Sequence, residues 1–297
     1  MRRKGGAGMI DWKRWVQGMM LVPVAVLGIS AVERQKIKEE HYVISSKHLP
    51  EEFHETSFVF LSDLHEKQFG KENLRLLEKI KEINPDLVLV GGDLVVGKAG
   101  HTTKVAEDLM VSLAARYPVI CANGNHEYRM KCYREIYGKQ YDRYVERLRS
   151  HDIIYLENET VEIRKGSGRI FLSGLDLVRR FYQRGKKVDM PDWYLTKTLG
   201  RKREFHILLA HNPIYFPEYE KWGADLVLSG HNHGGLIRIP HFGGMVSPQV
   251  KFFPEFDAGY YRRGNSQMII SRGLGTHTLD IRVGNLPELS VIHLVRE

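Results

Sequence analysis

The sequence is most informative in what it lacks. Its 297 residues include only two cysteines, Cys121 and Cys132. That excludes a disulfide framework and any zinc site built from four thiolates. No Gly-x-x-x-x-Gly-Lys-Ser/Thr phosphate loop occurs, and Asp63 is not followed by the Asp-x-Thr/Val pattern of a phosphoaspartate enzyme. No serine or cysteine stands out as a nucleophile with a paired base. Low-complexity segments are missing, so the chain reads as ordinary globular sequence, 42% hydrophobic and 27% charged. An acidic excess is also lacking. The formal net charge is +8, but five basic residues against one acidic residue within positions 1–16 account for half of it. The remaining basicity is mild. It suits a protein that handles phosphate and gives no specific reason to expect nucleic acid.

What is present is a repeated phrase: a short apolar strand, a glycine or proline turn, then carboxylate, amide or imidazole. Leu226-Val227-Leu228 runs into Ser229-Gly230-His231-Asn232-His233-Gly234-Gly235, and Leu87-Val88-Leu89-Val90 into Gly91-Gly92-Asp93. Phe58 to Leu61 leads to Asp63-Leu64-His65, Val119 to Ala122 to Asn123-Gly124-Asn125-His126-Glu127, and Phe205 to Ala210 to His211-Asn212-Pro213. Apolar runs of this length, bounded by turn residues, predict buried strands. α/β proteins present their sites at the carboxyl ends of such strands. Taken singly, each cluster is weak, since a lone Asp-x-His or Asn-His is more often a turn or a helix cap. Five in one chain are not. Amphipathic helices are predicted over 73–83, 105–115 and 141–149, with further strands at 153–155, 161–163 and 170–173 and closing strands near 260, 268–271 and 291–295. The alternation argues for sheets flanked by helices.

Two other stretches stand apart. Trp15 to Val32 is nearly uncharged, follows basic residues and carries Trp12 and Trp15 at its start. It predicts a single-pass amino-terminal anchor in the cell membrane with the catalytic domain outside the cytoplasm. A cleaved signal peptide and an ordinary buried helix are the rivals. Glu33 to Glu40 reads as a charged linker, which divides the chain into a leader (1–40) and one domain (41–297). Arg179 to Arg203 holds nine basic residues against Asp189, Asp192 and little else, interleaved with Phe181, Tyr182, Trp193 and Tyr194. It reads as a solvated loop or as a flap over an anionic substrate.

The donor set of the strand ends is oxygen and nitrogen only, which suits Mn, Fe or Zn. Seven such residues exceed the needs of one catalytic zinc. They suit two ions about 3.5–4 Å apart that share a carboxylate. The implied chemistry is hydrolysis of a phosphate ester by a metal-activated water.

In order and context, Asp63-Leu64-His65, Gly91-Gly92-Asp93, Gly124-Asn125-His126-Glu127, His211 and Gly230-His231-Asn232-His233 resemble the five blocks of the calcineurin-like metallophosphoesterases. Glu127 departs from the more usual Asp. The resemblance implies a four-layer αββα sandwich of two mixed β-sheets. It implies that Asp63, His65, Asp93 and His233 hold one ion, that Asp93, Asn125, His211 and His231 hold the other, and that His126 acts on the leaving group. The amino-terminal apolar segment, Gly234-Gly235-Leu236-Ile237-Arg238 and Ser271-Arg272-Gly273-Leu274-Gly275 resemble a membrane-associated bacterial branch with YkuE- and YaeI-like members. That branch implies a lipid-linked pyrophosphate substrate such as UDP-2,3-diacylglucosamine, with Arg238 and Arg272 as phosphate contacts. A nucleotide phosphodiesterase or nuclease, and an inactive scaffold of the same fold, are the competing functions.

Overall fold

The computed structural model describes residues 26–183, 187–235, 238–239, 243–244, 255–276 and 280–297. One six-stranded sheet contains β1 (Lys38–Ser46), β2 (Ser57–Leu61), β3 (Leu87–Val90), β4 (Val119–Ala122), β5 (Ile154–Leu156) and β14 (Glu288–Arg296), in the order β1-β14-β2-β3-β4-β5. The other contains β6 (Glu159–Lys165), β7 (Gly168–Leu175), β8 (His206–Ala210), β9 (Leu226–Ser229), β12 (Gly259–Arg263) and β13 (Ser266–Ile270), in the order β12-β13-β9-β8-β7-β6. Each sheet is mixed. β2, β3, β4 and β5 run parallel, while β14 is antiparallel to β2. β13, β9, β8 and β7 also run parallel, with antiparallel edges at β12 and β6. A two-stranded ribbon, β10 (Arg238–Ile239) and β11 (Gly243–Gly244), follows the histidine turn.

The layering follows from the period-two alternation of strand side chains. On β2, Phe58 and Phe60 point between the sheets, where they meet Ile207, Leu209, Leu226 and Leu228. Val59 and Leu61 point the other way, onto Leu76 and Ile80 of α2 (Leu74–Ile83) and Leu109 and Leu113 of α3 (Lys104–Ala114). The outer face of the second sheet, through Leu208, Val227 and Met268, meets Leu195 of α7 (Trp193–Leu199) and Phe216 and Tyr219 of α8 (Phe216–Trp222). Three cores in series make helix, sheet, sheet and helix layers. Three more helices, α4 (Asn125–Cys132), α5 (Arg134–Tyr137) and α6 (Gln140–Arg149), complete the first side.

The described residues of the basic stretch 179–203 pack into the domain. Phe181, Met190 and Leu195 are buried in the third core, because interleaved apolar residues outweigh the desire of their neighbours for water.

The amino-terminal expectation is corrected. Among the described residues no helix is long and apolar enough to cross a membrane, against a single-pass anchor in the cell membrane. Positions 15–25 of the expected span lie outside the described residues. Positions 26–33 form a helix (α1) that touches the domain. Ser30 is buried, and its Oγ accepts a hydrogen bond from the Arg282 backbone amide at 2.9 Å. Glu33 accepts one from the Gly284 amide at 2.7 Å. β1 begins at Lys38, within the stretch expected to be linker, as an edge strand parallel to β14.

Candidate metal centre

Five strands, β2, β3, β4, β8 and β9, deliver the site, and the turns after β2, β3 and β9 are strained in a common way. Asp63 (φ +52°), His65 (+49°), Asp93 (+54°), His231 (+70°) and His233 (+51°) all adopt left-handed backbone. Non-glycine residues do so at a cost that persists only where the surroundings impose it, and such positions cluster at functional sites. Close backbone approach accounts for the flanking glycines. A Cβ on Gly124 would lie 2.2 Å from Asp93 Oδ1, and one on Gly230 would lie 2.2 Å from Asp63 Oδ2.

The side chains converge. His233 Nε2 lies 3.3 Å from Asp63 Oδ1 and 3.2 Å from His65 Nε2. His211 Nε2 lies 3.1 Å from Asp93 Oδ2 and 3.7 Å from Asp63 Oδ1. Ligand atoms fall into three groups, each within 4.8 Å: Asp63, His65 and His233; Asp93, His211 and His231; and His65, Asp93 and His126. The first two contain residues that the resemblance assigned to separate ions. The third draws in His126, which the resemblance placed outside the ligands. Asp93 belongs to two groups, as a bridging carboxylate must.

Hydrogen bonds behind the rings fix which nitrogen faces the site. Nδ1 of His65 meets the Val95 carbonyl at 3.3 Å, that of His233 the Gly275 carbonyl at 3.3 Å, and that of His211 the Gly91 carbonyl at 2.8 Å. His126 Nδ1 is held by the Val96 carbonyl. A carbonyl only accepts, so each Nδ1 carries a hydrogen, and in a ring that holds no second proton Nε2 turns inward as a lone pair. His65 and His233 therefore set two lone pairs 3.2 Å apart. Such a pair is repulsive unless a cation stands between, and the spacing matches two nitrogens bound at about 2.0–2.1 Å to one ion. On the other side, Asn125 Oδ1 is buried without a hydrogen-bond partner. Buried polar atoms are rarely left so, and Asn125 belongs to the set expected to bind the second ion. The residues fit divalent cations.

The electrostatics agree. Burial, then His211, hold the His231 imidazole well below its usual range, and burial and Arg282 take His233 down to about 3, so both stay neutral. Burial opposes charge on His211, but Asp93 and Asp63 outweigh it and push the imidazole up to about 10. Burial works against the Asp93 carboxylate too, yet His211 and His126 keep it well below the usual range. Burial and the charge of Asp93 push Asp63 up. These carboxylates compete for positive charge, and a metal would displace the proton that His211 otherwise carries.

Two residues support the ligands: Glu127, noted in the sequence only as a departure from the usual Asp, and Ser62, which the sequence did not single out. Glu127 is buried and accepts four backbone amides: Asp93 at 2.8 Å, Gly124 at 3.0 Å, Leu94 at 2.9 Å and Val95 at 3.3 Å. It ties the start of α4 to the Asp93 turn. The signal was its place three residues after Gly124, where a carboxylate reaches back over the first helical turn. The His126 amide completes the link by donating to Asp93 Oδ1 at 2.8 Å. Ser62 donates to Asp63 Oδ2 at 2.6 Å. The Tyr182 ring stands edge-on to His231, with centroids 5.2 Å apart. The expected phosphate contacts face carboxylates instead: Arg238 pairs with Asp257 at 2.7 Å, and Arg272 with Glu40 at 2.5 Å and Glu288 at 3.2 Å.

Comparison with known proteins agrees with this geometry. The chain is 28% identical over 239 residues to the uncharacterized protein YpbG of Bacillus subtilis (strain 168), covering 80% of each chain. It is 27% identical over 267 residues to the uncharacterized metallophosphoesterase YkuE of the same organism, covering 89% of this chain and 87% of that one. It is 27% identical over 241 residues to the phosphodiesterase YaeI of Escherichia coli (strain K12), covering 80% and 81%. The family model described as calcineurin-like phosphoesterase matches residues 56–235, which contain every residue of the cluster described above, and the chain belongs to that family of metal-dependent phosphoesterases.

Proposed function

We propose that the protein hydrolyses a phosphodiester or pyrophosphate bond at a two-ion centre, with a lipid-linked pyrophosphate of the UDP-2,3-diacylglucosamine type as candidate substrate. The observation that carries the reading is the convergence of carbonyl-anchored imidazoles around a shared Asp93, with lone pairs facing each other. Asp63, His65, Asp93 and His233 would hold one ion, and Asp93, Asn125, His211 and His231 the other. Bound divalent ions would supply Lewis-acid polarisation of the phosphoryl group and acidify a water.

The chain's own residues do the rest. Rigid strand ends and left-handed turns fix the ligands before substrate arrives, which saves reorganisation during reaction. Glu127 holds the Asp93 turn and the start of α4 in one piece. His126, its Nδ1 anchored on Val96, directs Nε2 toward the Asp93 carboxylate 3.8 Å away. From there the Nε2 lone pair would take up a proton from the attacking water and release it to the departing oxygen. Tyr182 packs against the His231 ring. Arg238 and Arg272, each committed to a carboxylate, brace the loops on which they lie.

The test is hydrolysis of bis(p-nitrophenyl) phosphate by metal-stripped protein in EDTA and after addition of Mn²⁺. Metal-restored turnover supports the reading, and comparison with a lipid-linked pyrophosphate then ranks the substrates. Turnover in EDTA equal to that with Mn²⁺ would rule out the two-ion mechanism.

A further inference from the structure

Behind the His233 side of the centre lies a fully buried arginine that takes no direct part in it. Arg282 is 1% exposed. Its guanidinium points at backbone carbonyls: Nη2 donates to Arg272 O at 2.7 Å, Gly273 O at 3.1 Å and Gly275 O at 2.5 Å, and Nη1 to Asn285 O at 3.3 Å. A rigid fork of donors is suited to moulding a loop. Burying that charge is costly, so a loop held this way serves some purpose beyond simple packing.

The moulded loop registers two ligands. Gly275 O receives His233 Nδ1 at 3.3 Å, while Gly275 N donates to Asp63 O at 2.6 Å and Leu274 N to Ser62 O at 3.1 Å. The loop has little room to settle elsewhere, because a Cβ on Gly275 would lie 2.0 Å from Leu64 O. Three residues after Arg282, Asn285 Nδ2 donates to His233 O at 2.7 Å and Gly235 O at 2.6 Å, fixing the left-handed histidine turn from the other side. The Arg282 backbone amide is itself pinned by Ser30 of α1. None of these contacts reaches His211, His231 or Asn125.

We propose that Arg282 is a positioning residue for the Asp63–His65–His233 ion alone: through the Gly275 carbonyl it sets the tautomer and direction of His233, and α1 steadies it through Ser30. The inference rests on the two-ion reading above. Supporting groups of this kind typically change metal affinity about 10–100-fold.

The experiment is Mn²⁺ titration of the metal-stripped full chain, followed by calorimetry and by electron paramagnetic resonance. His233→Ala and His211→Ala identify the two sites. Wild type should bind two ions and give an exchange-coupled spectrum. Arg282→Met, folded by circular dichroism, should lose affinity about 10–100-fold at the site that His233→Ala abolishes. It should keep the other site and show the spectrum of an isolated Mn²⁺. Arg282→Lys, which keeps the charge but not the fork, should fall between. Equal loss at both sites, or two ions bound with wild-type affinity, would overturn the proposal. If neither Arg282 variant folds, Ser30→Ala decides by the same selectivity: weaker binding at the His233 site supports the proposal and unchanged binding overturns it. Failure of wild type to bind two ions would instead remove the two-ion reading and the inference with it.

Discussion

The second sheet has a histidine–aspartate cluster at each end of its strands, and the two are built on opposite principles. At the amino ends of β8 and β9, Asp225 accepts the His206 amide at 2.8 Å, His48 Nδ1 at 2.9 Å and Lys202 Nζ at 3.0 Å, while His206 Nε2 meets Ser173 Oγ at 2.8 Å. Every donor faces an acceptor. At the carboxyl ends, His211, His231 and His233 gather around Asp63 and Asp93, the His233 lone pair faces that of His65, Asn125 Oδ1 has no hydrogen-bond partner, and the His231–His233 turn is left-handed. Composition does not separate these clusters. Satisfaction does: one is complete as it stands, and the other is complete only with cations. The first holds the strands together, and the second uses the rigidity that results.

The contrast breaks most sharply at Asp93. Asp93→Asn removes the shared charge, so metal content by elemental analysis should collapse and turnover should fall to that of metal-stripped protein; wild-type turnover would deny Asp93 its bridging place. Next comes His126→Ala, which should lower kcat by on the order of 10²–10⁴ if the imidazole moves a proton, with two ions retained. Loss of an ion instead would make His126 a ligand, consistent with its nearness to His65 and Asp93.

The amino-end cluster should respond in stability alone. Burial takes the His206 imidazole down to about 4 from an ordinary 6.5. The unfolded chain therefore takes up a proton first as pH falls, so the contribution of neutral His206 is complete above pH about 6.5 and disappears toward pH about 4. That window is worth about 3 kcal/mol, and His206→Gln should flatten this part of the pH profile in urea titrations. A slope identical to wild type would show that His206 is not the group responsible. Asp225→Ala, which orphans the His206 amide, should cost about 1–3 kcal/mol of stability and leave both ions in place. A lost ion there would erase the distinction between the two clusters.

Much of the architecture was legible because the signal was local. β3 and β4 fill the predicted strand runs and β9 adds Ser229 to its own, since short apolar runs closed by a glycine-containing turn leave few alternatives. The candidate ligands stood out because every group of them follows an apolar strand. Glu127 was half visible, as a helix-start carboxylate whose other three partners lie 32–34 positions back in the chain. Arg282 carried no local sign. α5 and α7 also escaped notice, being only 4 and 7 residues long. The apolar run at 15–32 misled, because hydropathy measures preference for a non-aqueous setting without saying which one, and at Ser30 that setting is Arg282.

By itself, then, the sequence determined the family, the layered sheets and the strand-end residues that converge, because these depend on short-range patterning and on the chemistry of side-chain types. Only the tertiary structure decided which ring nitrogen faces inward, that Arg238 and Arg272 spend their charge on carboxylates, and that a buried arginine holds the Gly275 carbonyl behind His233. Those outcomes depend on which carbonyls and carboxylates arrive from elsewhere in the chain, and no local pattern encodes that.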